Sequence, residues 1–468
     1  MHLNYAWRTF CWILILALMA LAMYFGAGAL RSFLCISMVL WFVWLVDTYR
    51  NDRAFFALIF PMLSLGGVVL AFLVEMFGAY TPELEEWMSA TGALVRLIFY
   101  LLVFFFAAWL AFSYRRPVEP LREMQPDMQK VLLVACVGAI LAIIYAYIVM
   151  GVPLLDHLNK YMYWRESVQA YPIVDFAKGH VLMLMIGLFL IWKRRQESVL
   201  WLLFLTFVVL QVLGGEKYTG FASWLSFFVL VYLVRHTFHF TRKNLRYVCG
   251  GLAWFTVFIS VMVFYHYNGF SDTATVPFQE RLFSRLAEQG QIWWAIDQQM
   301  SLGEMHLSAF AKETASWFQW SLPAKELKGE LGIYSMMELV TRHEIVLSYW
   351  SRSVNFTEAY PAIALYWFGY IGCVFFQILM GVLFGLFLRL YYRAVRRADM
   401  VCVFLLTTVY NRINQALGMG NFYALFNLKT IVAILLALAY HRLYLYIQAH
   451  PDKLSRFRRP AWLGKGAA

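Results

Sequence analysis

Two arginines four residues apart, Arg281 and Arg285, stand in the stretch ERLFSRLAEQGQIWWAID, residues 280–297. On a helix they share a face. A planar guanidinium offers paired donors and a permanent charge, which suits it to phosphate. Leu282, Leu286 and Trp293 form the adjoining stripe, so such a helix would lie with its apolar side down and its arginines at the edge. The alternative is a surface helix in which Arg285 pairs with Glu288, a contact worth little. GGEKYTG, residues 214–220, closes a tight turn between two apolar runs and fixes Glu216 and Lys217 at their boundary. Charges so placed are costly and often functional; the other reading is a hairpin turn with a snorkelling Lys217.

Three further stretches carry reactive or ligand-binding types. YMYWRES, 161–167, puts Arg165 among Tyr163 and Trp164, rings that either stack on sugars or anchor a loop at an interface. With Trp293 and Trp294 they are the aromatic candidates for sugar contact. YNRINQALGMGNF, 410–422, sets Arg412 among Asn411, Asn414 and Gln415, either a hydrogen-bonding site for a polar ligand or a polar turn. TRHEIVLSYWSR, 341–352, holds His343 and Glu344, and Glu358 follows. These and Glu216 are the groups able to take a proton, with Glu358 preferred because it lies where the chain re-enters an apolar run. His343–Glu344 lacks the HExxH spacing of a zinc site, and no metal is expected.

The elements that must position these residues are apolar helices. Of 468 residues, 62% are hydrophobic and 14% charged, against about 25% charged in soluble domains. Runs of roughly 18 or more apolar residues read as membrane spans. Twelve are expected, at 9–29, 32–46, 54–74, 94–113, 131–151, 176–192, 198–213, 219–234, 247–267, 360–388, 400–416 and 422–440. The fold class is therefore all-α and polytopic, one integral-membrane domain over 1–468. With the N-terminus inside, 24 of the 39 lysines and arginines fall in cytoplasmic segments, as the positive-inside bias requires. Both termini are then cytoplasmic. All the candidate residues fall outside, many in the long loop 268–359, with helical pieces expected at 278–300, 303–319 and 334–349.

The net charge of +12 is spread over short loops, which argues against nucleic acid as a partner. The six cysteines lie in or beside apolar runs, with no disulfide framework and no CxxC metal pattern. No GxSxG, Walker A or GxGxxG motif supports a hydrolase or nucleotide site. No internal repeat suggests the duplicated halves of many transporters. Several basic residues from separate outer loops around an apolar bundle suit an amphiphile with an anionic head.

With these features the chain resembles the Wzy-type O-antigen polymerases, which join oligosaccharide repeat units at the bacterial inner membrane. The likeness rests on the many-span plan with one long outer loop, on GGEKYTG, on RLAEQGQIWW, and on TEAYPAIALYWFGYIGCVFFQILMGVLFGLFLR, residues 357–389, with its Phe-Gly-x-x-Gly. By plan it covers most of the chain; by motif, only these stretches. Lys217 stands where arginine is frequent in similar proteins, and lysine lacks the bidentate fork. The resemblance implies transfer of a glycan from undecaprenyl diphosphate to the sugar of another lipid-linked repeat unit, outside the cytoplasm. It needs no cofactor and leaves room for a chain-length regulator as a further partner. Arg165, Lys217, Arg281, Arg285 and Arg412 would hold the diphosphate, and a carboxylate or histidine would take the hydroxyl proton. An O-antigen ligase is the nearest alternative; a transporter or flippase of an anionic amphiphile is an alternative of a different class.

Overall fold

A computed structural model describes residues 2–25, 30–63, 67–81, 83–114, 121, 126–156, 163, 166, 171–191, 197–215, 218–235, 246, 250, 257, 288, 290–319, 332–352, 356 and 360–449. It is 84% helical. The helices are α1 (His2–Phe25), α2 (Leu30–Asn51), α3 (Arg53–Ile59), α4 (Val68–Phe77), α5 (Ala93–Ser113), α6 (Pro126–Met150), α7 (Pro172–Ile191), α8 (Glu197–Leu213) and α9 (Tyr218–Arg235). Then come α10 (Gln291–Gln299), α11 (Leu307–Ser316), α12 (Gly332–Val340), α13 (His343–Arg352), α14 (Tyr360–Arg397), α15 (Met400–Met419), α16 (Tyr423–Phe426) and α17 (Leu428–Ala449).

Four of these are long and apolar enough to cross a membrane: Phe33–Asn51, Ala93–Ser113, Gln129–Met150 and Tyr360–Arg397. Shorter apolar helices stand beside them, Ala6–Leu21 and Ser198–Leu213 among them. The outward faces are apolar too. Phe42 and Val46 on α2, Ile371, Phe375, Leu379 and Leu383 on α14, and Leu435 on α17 are exposed. Water would not favour such a surface.

The run 54–74 is not the single helix expected. It breaks into α3, a 3-10 turn at Phe60–Met62 and α4. Pro61 removes a backbone donor within the run, and Gly67 enters α4 in the left-handed region. Of the run 247–267, only Gly250 and Val257 are among the described residues. A small antiparallel hairpin also departs from the all-α expectation: β1 (Ala79–Thr81) pairs with β2 (Glu86–Met88), Tyr80 opposite Trp87. It lies between Gly78 and Gly92, both at positive φ.

Helix α5 is the hub. Most of its side chains are buried, from Leu94 to Phe112. Against it lies α14, whose Gly381 and Gly385 press on the backbone of α5. A Cβ at Gly381 would meet Phe104 O at 2.3 Å, and one at Gly385 would meet Ala108 O at 2.2 Å. Glycines four apart let two helices approach this closely. On another side α1 and α2 join α5 through Asp47, which receives Arg8 Nε at 2.6 Å and Trp12 Nε1 at 2.9 Å. Arg8 in turn lies over the Trp109 ring, 4.4 Å from its centroid.

The long helix α14 is two helices in one. Gly369 has φ 64° and ψ −176°, a conformation only glycine adopts readily. Before it, Tyr360 to Trp367 are buried at every position. After it, Ile371, Phe375 and Leu379 are exposed on one face while Cys373 and Gln377 are buried on the other.

Candidate functional site

One end of the α5–α14 pair gathers buried polar side chains. Arg96, near the start of α5, reaches Asp297 of α10 with Nε at 2.6 Å from Oδ1, and Nη2 meets Oδ2. Two parallel contacts of this kind form a bidentate pair. Nη2 also donates to Thr91 O at 3.3 Å. The Asp297 side chain is fully buried. Burial raises its carboxyl above the usual range, and the Arg96 fork pulls it back.

Tyr370, the residue after the break in α14, closes the group. Its hydroxyl lies 3.0 Å from Asp297 O and 3.3 Å from Met300 O, and its own carbonyl accepts from Tyr100 Oη at 2.9 Å. The break in α14 is thereby tied to the end of α10. A Cβ at Gly369 would meet Glu304 O at 2.6 Å, so this loop packs on the glycine itself.

Glu75 is the third charged member. It lies one residue past the run 54–74, at 3% exposure. Its Oε1 accepts from Thr91 Oγ1 at 3.2 Å and Leu94 N at 3.3 Å, while Oε2 is buried with no hydrogen-bond partner among the described residues. Burial pushes its carboxyl up to about 7, opposed by the Leu94 N–H and the Thr91 hydroxyl. A carboxyl with a higher pKa folded than unfolded binds more protons when folded. Stability therefore falls as pH rises from about 4.5 through 7, then levels. The group's contribution over that window is on the order of 3 kcal/mol. Glu75→Gln is expected to flatten this slope in a pH series of unfolding temperatures.

The hairpin is fastened over α10 by Glu83. Its carboxylate receives Gln291 Nε2 and Tyr349 Oη, and its carbonyl receives Thr341 Oγ1. Next to it, Glu85 pairs with Arg342 at 2.5 Å. One residue thus joins the hairpin, α10 and α13.

The sequence-derived candidates fall in several places. Glu216, Lys217, Trp164, Arg165, Arg281, Arg285 and Glu358 lie outside the described residues. Trp293 and Trp294 are buried, at 1% and 8% exposure, rather than presented at a surface. Their indole N–H groups donate to Ala93 O at 2.6 Å and Ser89 O at 2.9 Å; here the rings anchor α10 to the start of α5. Tyr163 is buried as well, its ring 6.3 Å from that of Tyr147. His343 is exposed on α13 with Nδ1 3.1 Å from Glu338, and Glu344 is exposed beside it. Arg412, on α15, donates to Gln415 at 2.8 Å. The expected helix 278–300 is described from Gln291, and 334–349 is two helices parted at Thr341–Arg342.

Sequence reasoning missed Asp297, Glu75 and Glu83. Arg96 is not among those candidates either; it falls near the start of the expected run 94–113. A lone arginine in an apolar run, with Asp297 on the polar side of an amphipathic segment, was the available signal.

Residues 326–434 match the model of a family of unknown function, DUF6418. No curated protein and no solved structure matches the chain. The stretch matching DUF6418 runs from before α12 into α17. It contains the break at Gly369 and both glycines that press on α5, while Arg96 and Asp297 lie before it.

Proposed function

We propose that the chain is an integral-membrane polymerase of the Wzy type. It would transfer a glycan from undecaprenyl diphosphate to the non-reducing-end sugar of another lipid-linked repeat unit. In this reading the chain crosses a bacterial inner membrane twelve times, keeps both termini in the cytoplasm and carries its chemistry on the outer face. Arg165, Lys217, Arg281, Arg285 and Arg412 receive the departing diphosphate. The energy comes from that leaving group, so neither nucleotide nor metal is required.

The observation that supports this best is the roof over one end of an apolar bundle. Short helices from the long segment, α10 to α13, pack over the starts of α5 and α14. Among the described residues, the buried carboxylates Glu75, Asp297 and Glu313 are all found there. A lipid-borne donor needs a polar reaction zone at the edge of an apolar scaffold, with water excluded.

Deletion of the gene followed by glycan analysis tests the reading. Lipopolysaccharide carrying a single repeat unit is the expected result. Loss of all attached glycan with lipid-linked polymer retained would make the protein a ligase, and unchanged surface glycan would overturn both.

A further inference from the structure

The loop that leaves α10 carries a second histidine–carboxylate pair, apart from His343. His306 Nε2 lies 3.2 Å from Glu304 Oε1. The ring is stacked on Tyr366, with centroids 4.3 Å apart and planes 18° from parallel. Its backbone N–H donates to Tyr366 O at 3.1 Å, at the break in α14. Glu304 is itself held: Ser301 N donates to Oε2 at 3.0 Å and Ser301 Oγ at 2.8 Å. Those two bonds hold its carboxylate below the usual range. The imidazole is therefore flanked by a carboxylate on one edge, stacked on a ring on one face and held by a backbone bond at its root.

We propose that His306 is the proton acceptor for the sugar hydroxyl in the transfer step, and that Glu304 is its positioning residue. This rests on the polymerase reading. Nε2 is buried and, among the described residues, makes no hydrogen bond beyond its ion-pair approach to Glu304, while the side chain as a whole is 29% exposed. With its Nε2 edge 3.2 Å from the Glu304 carboxylate, the ring in the tautomer protonated at Nε2 keeps a lone pair on Nδ1, as a general base requires. The neighbours fit an acceptor carried on a lipid. Leu302, Met305 and Leu307 are exposed around the pair and offer an apolar rim to a hydrocarbon-borne sugar.

The step balances without any further reactant. The acceptor's hydroxyl oxygen forms a bond to the anomeric carbon of the donor glycan, and its proton passes to His306 Nδ1. The anomeric carbon–oxygen bond to the diphosphate breaks, and its electron pair leaves with the lipid diphosphate. His306 then returns its proton to water.

Purified full-length protein in proteoliposomes, given an undecaprenyl-diphosphate-linked repeat unit, provides the test. His306→Ala is expected to lose about 100-fold or more in turnover, with the donor KM unchanged and part of the rate restored by free imidazole. Glu304→Gln should lose about tenfold in turnover at constant KM, a smaller fall because orientation alone is disturbed. Unfolding temperatures equal to the wild type's would exclude a folding defect, and His306→Asn provides a second variant if His306→Ala is unstable. Elongation by His306→Ala at the wild-type rate would overturn the proposal. So would a loss that imidazole does not restore and that comes with a raised KM. Failure of the wild type to extend the repeat unit would instead strike at the polymerase reading.

Discussion

Asp297→Ala is expected to lower unfolding free energy by about 3–5 kcal/mol, because it leaves Arg96 buried without its counter-charge. The loss should be much larger than for the partly exposed pair of Arg342 and Glu85, where roughly 0–1 kcal/mol is at stake. The cause is desolvation. Arg96 is only 24% exposed and the Asp297 side chain not at all, so neither charge can recover water when the other is removed. Arg96→Leu alone should cost a similar amount. The double variant Arg96→Leu with Asp297→Leu should recover most of the loss, since an apolar pair of similar volume needs no hydration. Thermal unfolding of the purified protein in detergent measures all three. Equal, additive losses in the two single variants and the double would show that the pair does not act as a unit.

Gly385→Leu is the second large effect, expected at about 3 kcal/mol or more. A Cβ there would lie 2.2 Å from Ala108 O, a backbone atom. No rotamer change in a flexible neighbour relieves that contact, so α14 must move off α5. Gly138, within α6, has no atom of the described residues within 4 Å of where a Cβ would stand. Gly138→Ala should then be neutral or slightly stabilising, by up to about 1 kcal/mol, because alanine loses less backbone freedom on folding. The two glycines look alike in sequence, both within apolar runs. Unfolding temperatures that moved equally for the two variants would refute the close-packing account.

The helices were legible where length and apolarity agreed. The expected runs 94–113, 198–213 and 219–234 fall within a residue of α5, α8 and α9. The run 54–74 was misjudged because hydropathy counts apolar residues and does not register a chain that turns within them. Trp293 and Trp294 were judged by their type: indoles favour interfaces, but here each N–H finds a carbonyl in the interior. The buried site was the least legible part. Arg96 and Asp297 are 201 positions apart, so no local spacing connects them, and an arginine beside a span has many ordinary explanations. Phe368–Gly369 was noticed as a motif, yet its work, a helix break clasped by residues 297–306, depends on a loop that precedes it by more than sixty positions.

That separation of 201 residues also has a meaning in time. A ribosome adds about 5–20 residues per second, so Arg96 is made on the order of 10–40 s before Asp297 exists. For that interval the start of α5 holds a cation whose final partner is absent. Glu75 is already present, and in the finished fold it sits close enough to Arg96 for each to feel the other's charge. A chain carrying Glu75→Gln lacks that nearby acid, and a lower yield is expected from it as well as a flatter pH dependence of the folded protein.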